Sequence, residues 1–191
     1  PSDCVLDVAC GTGDLTLAFA AAGPKAVTGL DFTDEMLHIA RQKNEGASRS
    51  TSQVTSQFVR GDAMALPFGD RSFDIVSIGF GIRNVSDPGM ALSEFHRVLR
   101  PGGRLVILEF SRPRNPVIRA LNSFYTSQVM PVTAAMIASD RSGAYRYLPR
   151  SIQTFHTSEE MIANICDAGF TDVTPHSMTF GVCTAYLGRV S

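Results

Sequence analysis

Apolar, β-branched runs that alternate with helical stretches predict an α/β domain, a parallel sheet wrapped on both faces with right-handed crossovers. Two further observations point the same way. A glycine-rich turn, Gly11-Thr12-Gly13, follows directly on the first strand candidate, and acids (Asp7, Asp31, Asp62) stand near the ends of three successive strand candidates. Such sheets bind ligands in crevices outside the carboxyl ends of their strands.

Residues 4–9 read as a short buried strand closed by glycine, and residues 14–22 as a helix whose Leu15, Leu17, Ala18 and Phe19 form an apolar surface. Gly23-Pro24 stops that helix. A second strand over 26–30 ends at Asp31, and Thr33 is placed to cap a helix over 34–44 with Glu35 near its positive end. The Ser/Thr/Gln-rich stretch 46–57 has no periodicity and reads as a surface loop or a fraying extension of the helix. Strands follow near 57–60 and 73–78, and a helix over 88–99. Arg100-Pro101-Gly102-Gly103 predicts a tight turn into a fifth strand, 104–110. Residues 112–152 break the rhythm, being Pro-punctuated and mostly helical in pattern. A helix over 158–168, stopped by Gly169, precedes two strand candidates, 172–180 and 183–190, with a turn at Gly181. No repeat or linker is visible, so residues 1–191 read as one domain with 112–152 as an insertion.

Seventeen basic and eighteen acidic residues leave a net charge of -1, which gives no global case for binding nucleic acid. Cys4, Cys10, Cys166 and Cys183 lack C-x-x-C spacing and read as reduced thiols of a cytoplasmic protein rather than a zinc site or a disulfide framework. No apolar run approaches the roughly 20 residues a transmembrane helix needs, and no signal peptide is recognisable. The chain opens with Pro1, two residues before a strand-like run, so it reads as a piece of a longer protein or as one processed upstream.

The glycine turn lets backbone N–H groups approach a ligand. A dinucleotide fingerprint needs a third glycine where this chain has Thr16, and a P-loop needs a Gly-Lys-Ser/Thr that does not follow. Asp7 instead suits an ammonium group, directly or through water. Asp31, eighteen residues after Gly13, can accept both ribose hydroxyls of an adenosine, with Phe32 packing on the base and Asp62 near its amine. Together these describe a nucleoside that carries an amino acid, S-adenosylmethionine. A lone G-x-G is often only a turn; the three acids lift it above that.

Three stretches carry a family resemblance: Gly61-Asp-Ala-Met-Ala-Leu-Pro-Phe-Gly-Asp-Arg-Ser-Phe-Asp74, Gly79-Phe-Gly-Ile-Arg-Asn-Val85, and Arg97-Val-Leu-Arg-Pro-Gly-Gly-Arg-Leu-Val-Ile-Leu-Glu-Phe-Ser111. With Tyr145-Arg-Tyr-Leu148, the chain resembles the menaquinone/ubiquinone biosynthesis C-methyltransferases, the demethylmenaquinone methyltransferase type. The resemblance runs from Val5 to the C-terminus. It implies the Rossmann-like seven-strand sheet of class I S-adenosylmethionine-dependent methyltransferases, with the last strand antiparallel. It also implies cofactor contacts at Thr12, Asp31, Asp62, Ala63 and Gly79. Helices that usually precede strand one in the family are missing here.

The implied reaction is C-methylation of a prenylated quinol, demethylmenaquinol to menaquinol or a ubiquinone precursor. A ring carbon becomes nucleophilic when a ring hydroxyl loses its proton, so the site must orient the ring and help remove that proton. Arg83 could stabilise the phenolate and Asn84 orient the hydroxyl; the same pair is also an ordinary solvated turn after a strand. Tyr145 and Tyr147 offer the ring a flat face and a hydrogen bond. No metal is required, and a bilayer-dissolved substrate raises the expectation of transient contact with a membrane surface. The competing readings are another small-molecule methyltransferase and a cofactor-binding module without turnover.

Overall fold

Seven strands hydrogen-bond into one sheet in the computed structural model, which describes residues 2–48, 55–113, 115–124 and 155–191. In chain order the elements are β1 (Cys4–Val8), α1 (Asp14–Ala21), β2 (Ala26–Asp31), α2 (Asp34–Ser48), β3 (Thr55–Arg60), β4 (Phe73–Gly79) and a 3₁₀ turn, Ile82–Asn84. Then come α3 (Pro88–Val98), β5 (Leu99–Phe110), α4 (Pro116–Phe124), α5 (Ser158–Asp167), β6 (Thr171–Met178) and β7 (Cys183–Arg189). The strand order is β3-β2-β1-β4-β5-β7-β6. Pairs among β1 to β5 are parallel, while β7 runs antiparallel to both β5 and β6. This is the seven-strand arrangement that the resemblance implies.

Covered on both faces, β1 and β2 are buried at nearly every position rather than at alternate ones. Their residues still sort by parity. Leu6, Val8, Val76, Ile78, Leu105 and Ile107 share a core with Ala91, Leu92, Phe95 and Val98 of α3 and Met161 and Ile165 of α5. Val5 and Val27 face the other way, packing with Ala20 of α1. Local chemistry fixes the helix ends. Asp87 caps α3 by accepting from the Met90 N–H, with Pro88 at its first turn. A reciprocal capping box between Thr157 and Glu160 opens α5.

Four expectations shift. Helix α2 continues to Ser48, past the 34–44 that apolar spacing indicates, because a polar solvent-facing turn leaves no periodic signal. β3 begins at Thr55, where the pairing of Ala26 with Thr55 and Val27 with Ser56 overrides a polar local sequence. Arg100–Gly103 does not separate helix from strand but bulges within β5: Phe73 pairs with Leu99, whereas Ile75 pairs with Arg104. The Gly102 N–H and Gly103 carbonyl bond to Val190, so the end of the chain completes the strand there. β6 ends at Met178, and Thr179–Gly181 form a 3₁₀ turn. Within the 112–152 insertion Pro116–Phe124 form α4, and residues 125–152 lie outside the described residues. No helix among the described residues is long and apolar enough to cross a membrane.

Candidate functional site

A cleft of about 540 Å³ opens beyond the carboxyl ends of β1, β2 and β4. Sheet order reverses between β1 and β4, and this switch point is where open α/β sheets accept ligands. The volume falls within the ~300–1,000 Å³ usual for small-molecule sites. The backbone from Ala9 to Gly13 turns sharply under it, with left-handed φ at Ala9 (52°), Gly11 (54°) and Gly13 (82°). The Cys10 N–H bonds the Leu30 carbonyl at 3.0 Å, which pins the loop to β2. Glycine is required sterically at Gly13, where a Cβ would come 2.9 Å from that of Ala40.

Asp31 is the best-held polar group on the cleft. Its Oδ2 accepts the Gly11 N–H at 2.8 Å and its Oδ1 the Thr33 N–H at 2.9 Å. Each carboxylate oxygen retains a further lone pair for a ligand hydroxyl. Asp62, on the wall after β3, accepts the Met64 N–H through Oδ1 at 2.9 Å. Phe32 is 68% exposed, an open aromatic face at the cleft mouth, with the Arg60 guanidinium 5.9 Å from its ring centre. Gly11, Ala63, Gly79 and Asn84 complete the expected residues that the fold brings onto this surface.

The other expected residues sit elsewhere. Asp7 is 1% exposed and does not line the cleft; its oxygens take the Thr16 hydroxyl at 2.7 Å and the Ser77 hydroxyl at 2.8 Å. Burial pushes its carboxyl up to about 6, against the pull of those two hydroxyls and with a smaller push from Asp31. Asp7 therefore ties α1 to β1 and β4 beneath the glycine loop, because both of its oxygens are engaged by the fold. The Thr12 hydroxyl donates to Asp14 at 2.7 Å and accepts from Lys43 at 3.0 Å, an exposed polar cluster off the cleft. Gly13 serves the loop's turn rather than the lining. Arg83 also lies off the cleft, in a buried ion pair with Glu109 (Nη1 to Oε1, 2.5 Å). Its guanidinium packs on the Phe110 ring at 5.2 Å, and Phe110 in turn meets Phe80 of the cleft wall. Tyr145 and Tyr147 lie outside the described residues.

Sequence reasoning missed Met36, Met64 and Phe80, which supply apolar walls, and Glu109. Glu109 left a signal: it is the one acid in the apolar strand Leu105–Phe110, where a charge needs a partner. Burial raises its carboxyl against the opposing pull of Arg83. The assembled surface can hold a nucleoside by its ribose and base, with apolar walls beyond.

The model of the ubiE/COQ5 methyltransferase family matches residues 1–189. A ubiquinone/menaquinone biosynthesis C-methyltransferase of Geotalea daltonii is 41% identical over 99% of this chain and 79% of its own length. A demethylmenaquinone methyltransferase of Staphylococcus epidermidis is 44% identical over 96% of this chain and 74% of its own. Among solved structures, an S-adenosylmethionine-dependent methyltransferase of Aquifex aeolicus superposes with a TM-score of 0.70 at 18% identity, covering 99% of this chain and 82% of that one. At that identity the match speaks for the fold, which is that of class I methyltransferases.

Proposed function

Since the chain belongs to the ubiE/COQ5 methyltransferase family, we propose that it methylates a ring carbon of a prenylated quinol with S-adenosylmethionine, converting demethylmenaquinol to menaquinol or acting on the equivalent ubiquinone precursor. The observation that carries the cofactor half is Asp31. A carboxylate oriented by two backbone N–H groups at the switch point is preorganised for a pair of vicinal hydroxyls. The residues present fit such a nucleoside: Asp31 for the ribose, Phe32 for a face of the base, Asp62 for its polar edge. When bound, the sulfonium supplies an electrophilic methyl group. The acceptor half is supported by the activities that the relatives' names state.

The chain's own work is then positional and electrostatic. The apolar walls would exclude water and orient the acceptor ring toward the methyl donor. Asn84, on the cleft, orients the ring hydroxyl, and the Arg83 guanidinium behind the wall favours its anion. Loss of the hydroxyl proton drives electron density onto the carbon. A methyl group transferred to that carbon would leave a neutral thioether behind, and loss of the carbon's proton would restore aromaticity. The lipid-soluble substrate also favours transient contact with a bilayer surface.

The test is an in vitro assay of reduced demethylmenaquinone, a ubiquinol precursor, a simple phenol and an amine, read by mass spectrometry of the products. Methylated quinol as the dominant product is expected. Tight cofactor binding without transfer to any quinol would sink the proposal in favour of a binding module, and preferential methylation of the amine or phenol would reassign the acceptor.

A further inference from the structure

Phe180 is 84% exposed, more than any other large apolar side chain among the described residues. It stands in the Thr179–Gly181 turn between β6 and β7, where three successive residues hold left-handed φ: Thr179 (48°), Phe180 (57°) and Gly181 (90°). That conformation suits glycine and is strained for a β-branched residue such as Thr179. The fold pins the turn from the neighbouring strand end. The Ser111 N–H bonds the Val182 carbonyl at 2.8 Å; the Ser111 hydroxyl donates to the Gly181 carbonyl at 2.9 Å and accepts from the Thr184 hydroxyl at 2.8 Å. Strain that a fold holds in place points to a use.

Strand pairing decides which end of the molecule the ring serves. Phe110 pairs with Cys183, and Cys183 with Met178, so the turn lies at the carboxyl end of β5, the end at which the cleft opens. Phe80 of the cleft wall touches Phe110 there. Other exposed apolar residues collect at the same end. Phe32 and Met36 stand at the cleft mouth, and Val117 lies on the first turn of α4, four residues beyond Pro113, which a Cβ at Gly181 would touch. The opposite end carries ion pairs instead, Arg100 with Asp74 and Arg104 with Asp3. The apolar corner is also basic. From Phe110 to Ser139 the chain has no acid, and Arg112, Arg114 and Arg119 all fall within that stretch. Arg112 is shared with Glu160 of α5, whereas Arg119 has no acid on its own helix.

We propose that this corner, with Phe180 at its tip, docks on an anionic lipid bilayer and brings the cleft mouth to the surface in which a prenylated acceptor is dissolved. An apolar ring settles at the boundary between headgroups and acyl chains, while arginines beside it meet lipid phosphate. Apolar contact alone suits many partners; the arginines beside the ring select a surface of fixed negative charge. The inference rests on the acceptor reading above, which supplies the need for bilayer contact, and it names the face that makes that contact.

Fluorescence and sedimentation test it. The chain has no tryptophan, so Phe180→Trp introduces a single fluorophore. With vesicles of phosphatidylcholine and phosphatidylglycerol in equal parts, its emission is expected to shift to the blue and to be quenched by brominated acyl chains. Lys25→Trp, just before β2 at the opposite end of the sheet, should show neither effect. Sedimentation with sucrose-loaded vesicles of the same composition gives the affinity. Phe180→Asn, chosen because asparagine tolerates left-handed φ, should bind about tenfold more weakly than the wild type. Arg119→Gln should bind about fivefold more weakly, and vesicles of phosphatidylcholine alone should hold the wild type at least about tenfold less well. Cofactor affinity should stay at the wild-type value in both variants, as expected of folded protein. Equal vesicle binding by the wild type and Phe180→Asn, emission of Phe180→Trp unmoved by vesicles, or binding indifferent to phosphatidylglycerol would overturn the proposal. So would a wild-type dimer that Phe180→Asn dissociates, because a second copy would then cover the ring. Vesicle binding as expected, in a protein that methylates no quinol, would uphold the docking surface and count against the quinol reading alone.

Discussion

Asp31 and Asp7 sit at neighbouring strand ends, yet their surroundings give them opposite work. Asp31 is held by two N–H donors and faces the cleft, so charge there is useful to a ligand. Replacing it with Asn removes the anion and one of its acceptor sites. The cofactor dissociation constant, measured calorimetrically, should rise about 10- to 100-fold, the worth of a hydrogen bond to a charged group. A change of less than about twofold would remove Asp31 from the binding surface. Asp7 has its charge where no ligand uses it. Its carboxyl titrates near 6 in the fold against 3.8 for the free group, so the folded state binds more protons between those values. Stability therefore falls as pH rises through that window and stays lower above it, by up to about 3 kcal/mol for a shift of some two units. Asp7→Asn keeps a carbonyl for Thr16 and an amide for Ser77 but cannot titrate. Urea denaturation at about pH 4.5 and about pH 7 should show the wild type losing stability relative to the variant at the higher value. A difference that does not change with pH would refute it.

Among the elements, α3 has a second task besides covering the sheet. Its Arg97 reaches back to the wall that carries Asp62, Ala63 and Met64. Nη1 donates to the Phe68 carbonyl at 2.9 Å and Asp70 at 2.7 Å, and Nη2 to the Leu66 carbonyl at 3.2 Å. Glu94, one turn earlier, pairs with Arg97 and accepts the Leu66 N–H at 2.8 Å. Arg97 also holds the Glu94 carboxyl below its ordinary range. Arg97→Ala should loosen this wall: faster amide exchange over 62–70 and cofactor binding weaker by about 1 kcal/mol, a several-fold effect. Unchanged exchange there would mean the network is only surface decoration. Such a brace was not legible in the sequence, because Arg97 and Asp70 are 27 residues apart and neither departs from an ordinary polar pattern. What was legible was local. Gly11 and Gly13 announce a positive-φ turn, Asp31 and Asp62 end strands, and Gly169 stops α5 with φ of 95°. The bulge at Arg100–Gly103 was misplaced for the converse reason. Its Pro-Gly-Gly chemistry is that of a turn, and only pairing with β4 and with Val190 draws it into β5.

Over the whole molecule, the cleft exists because the chain leaves β1 and β4, two neighbouring interior strands, in different directions at their carboxyl ends, and Gly81 meets Ala9 across that parting. A Cβ at Gly81 would stand 2.6 Å from the Cβ of Ala9, closer than real carbons approach. Both residues line the cleft, so the clash cannot be relieved without moving the glycine loop, the turn after β4, or both. Gly81→Ala should therefore cost about 1–3 kcal/mol in stability, as overpacking does, and weaken cofactor binding with it. Ala9 has a φ of 52°, a conformation that glycine adopts without penalty. Ala9→Gly removes the opposing carbon and, by itself, should be close to neutral, since relief of strain offsets the greater freedom of the unfolded chain. Combined, the two substitutions should restore most of both losses, giving a coupling of about 1–2 kcal/mol in a double-mutant cycle. Additive effects would show that the two sides of the parting are mechanically independent. Restored stability without restored affinity would separate loop position from packing, and would place the binding defect on the β4 side alone, next to Phe80 and Asn84.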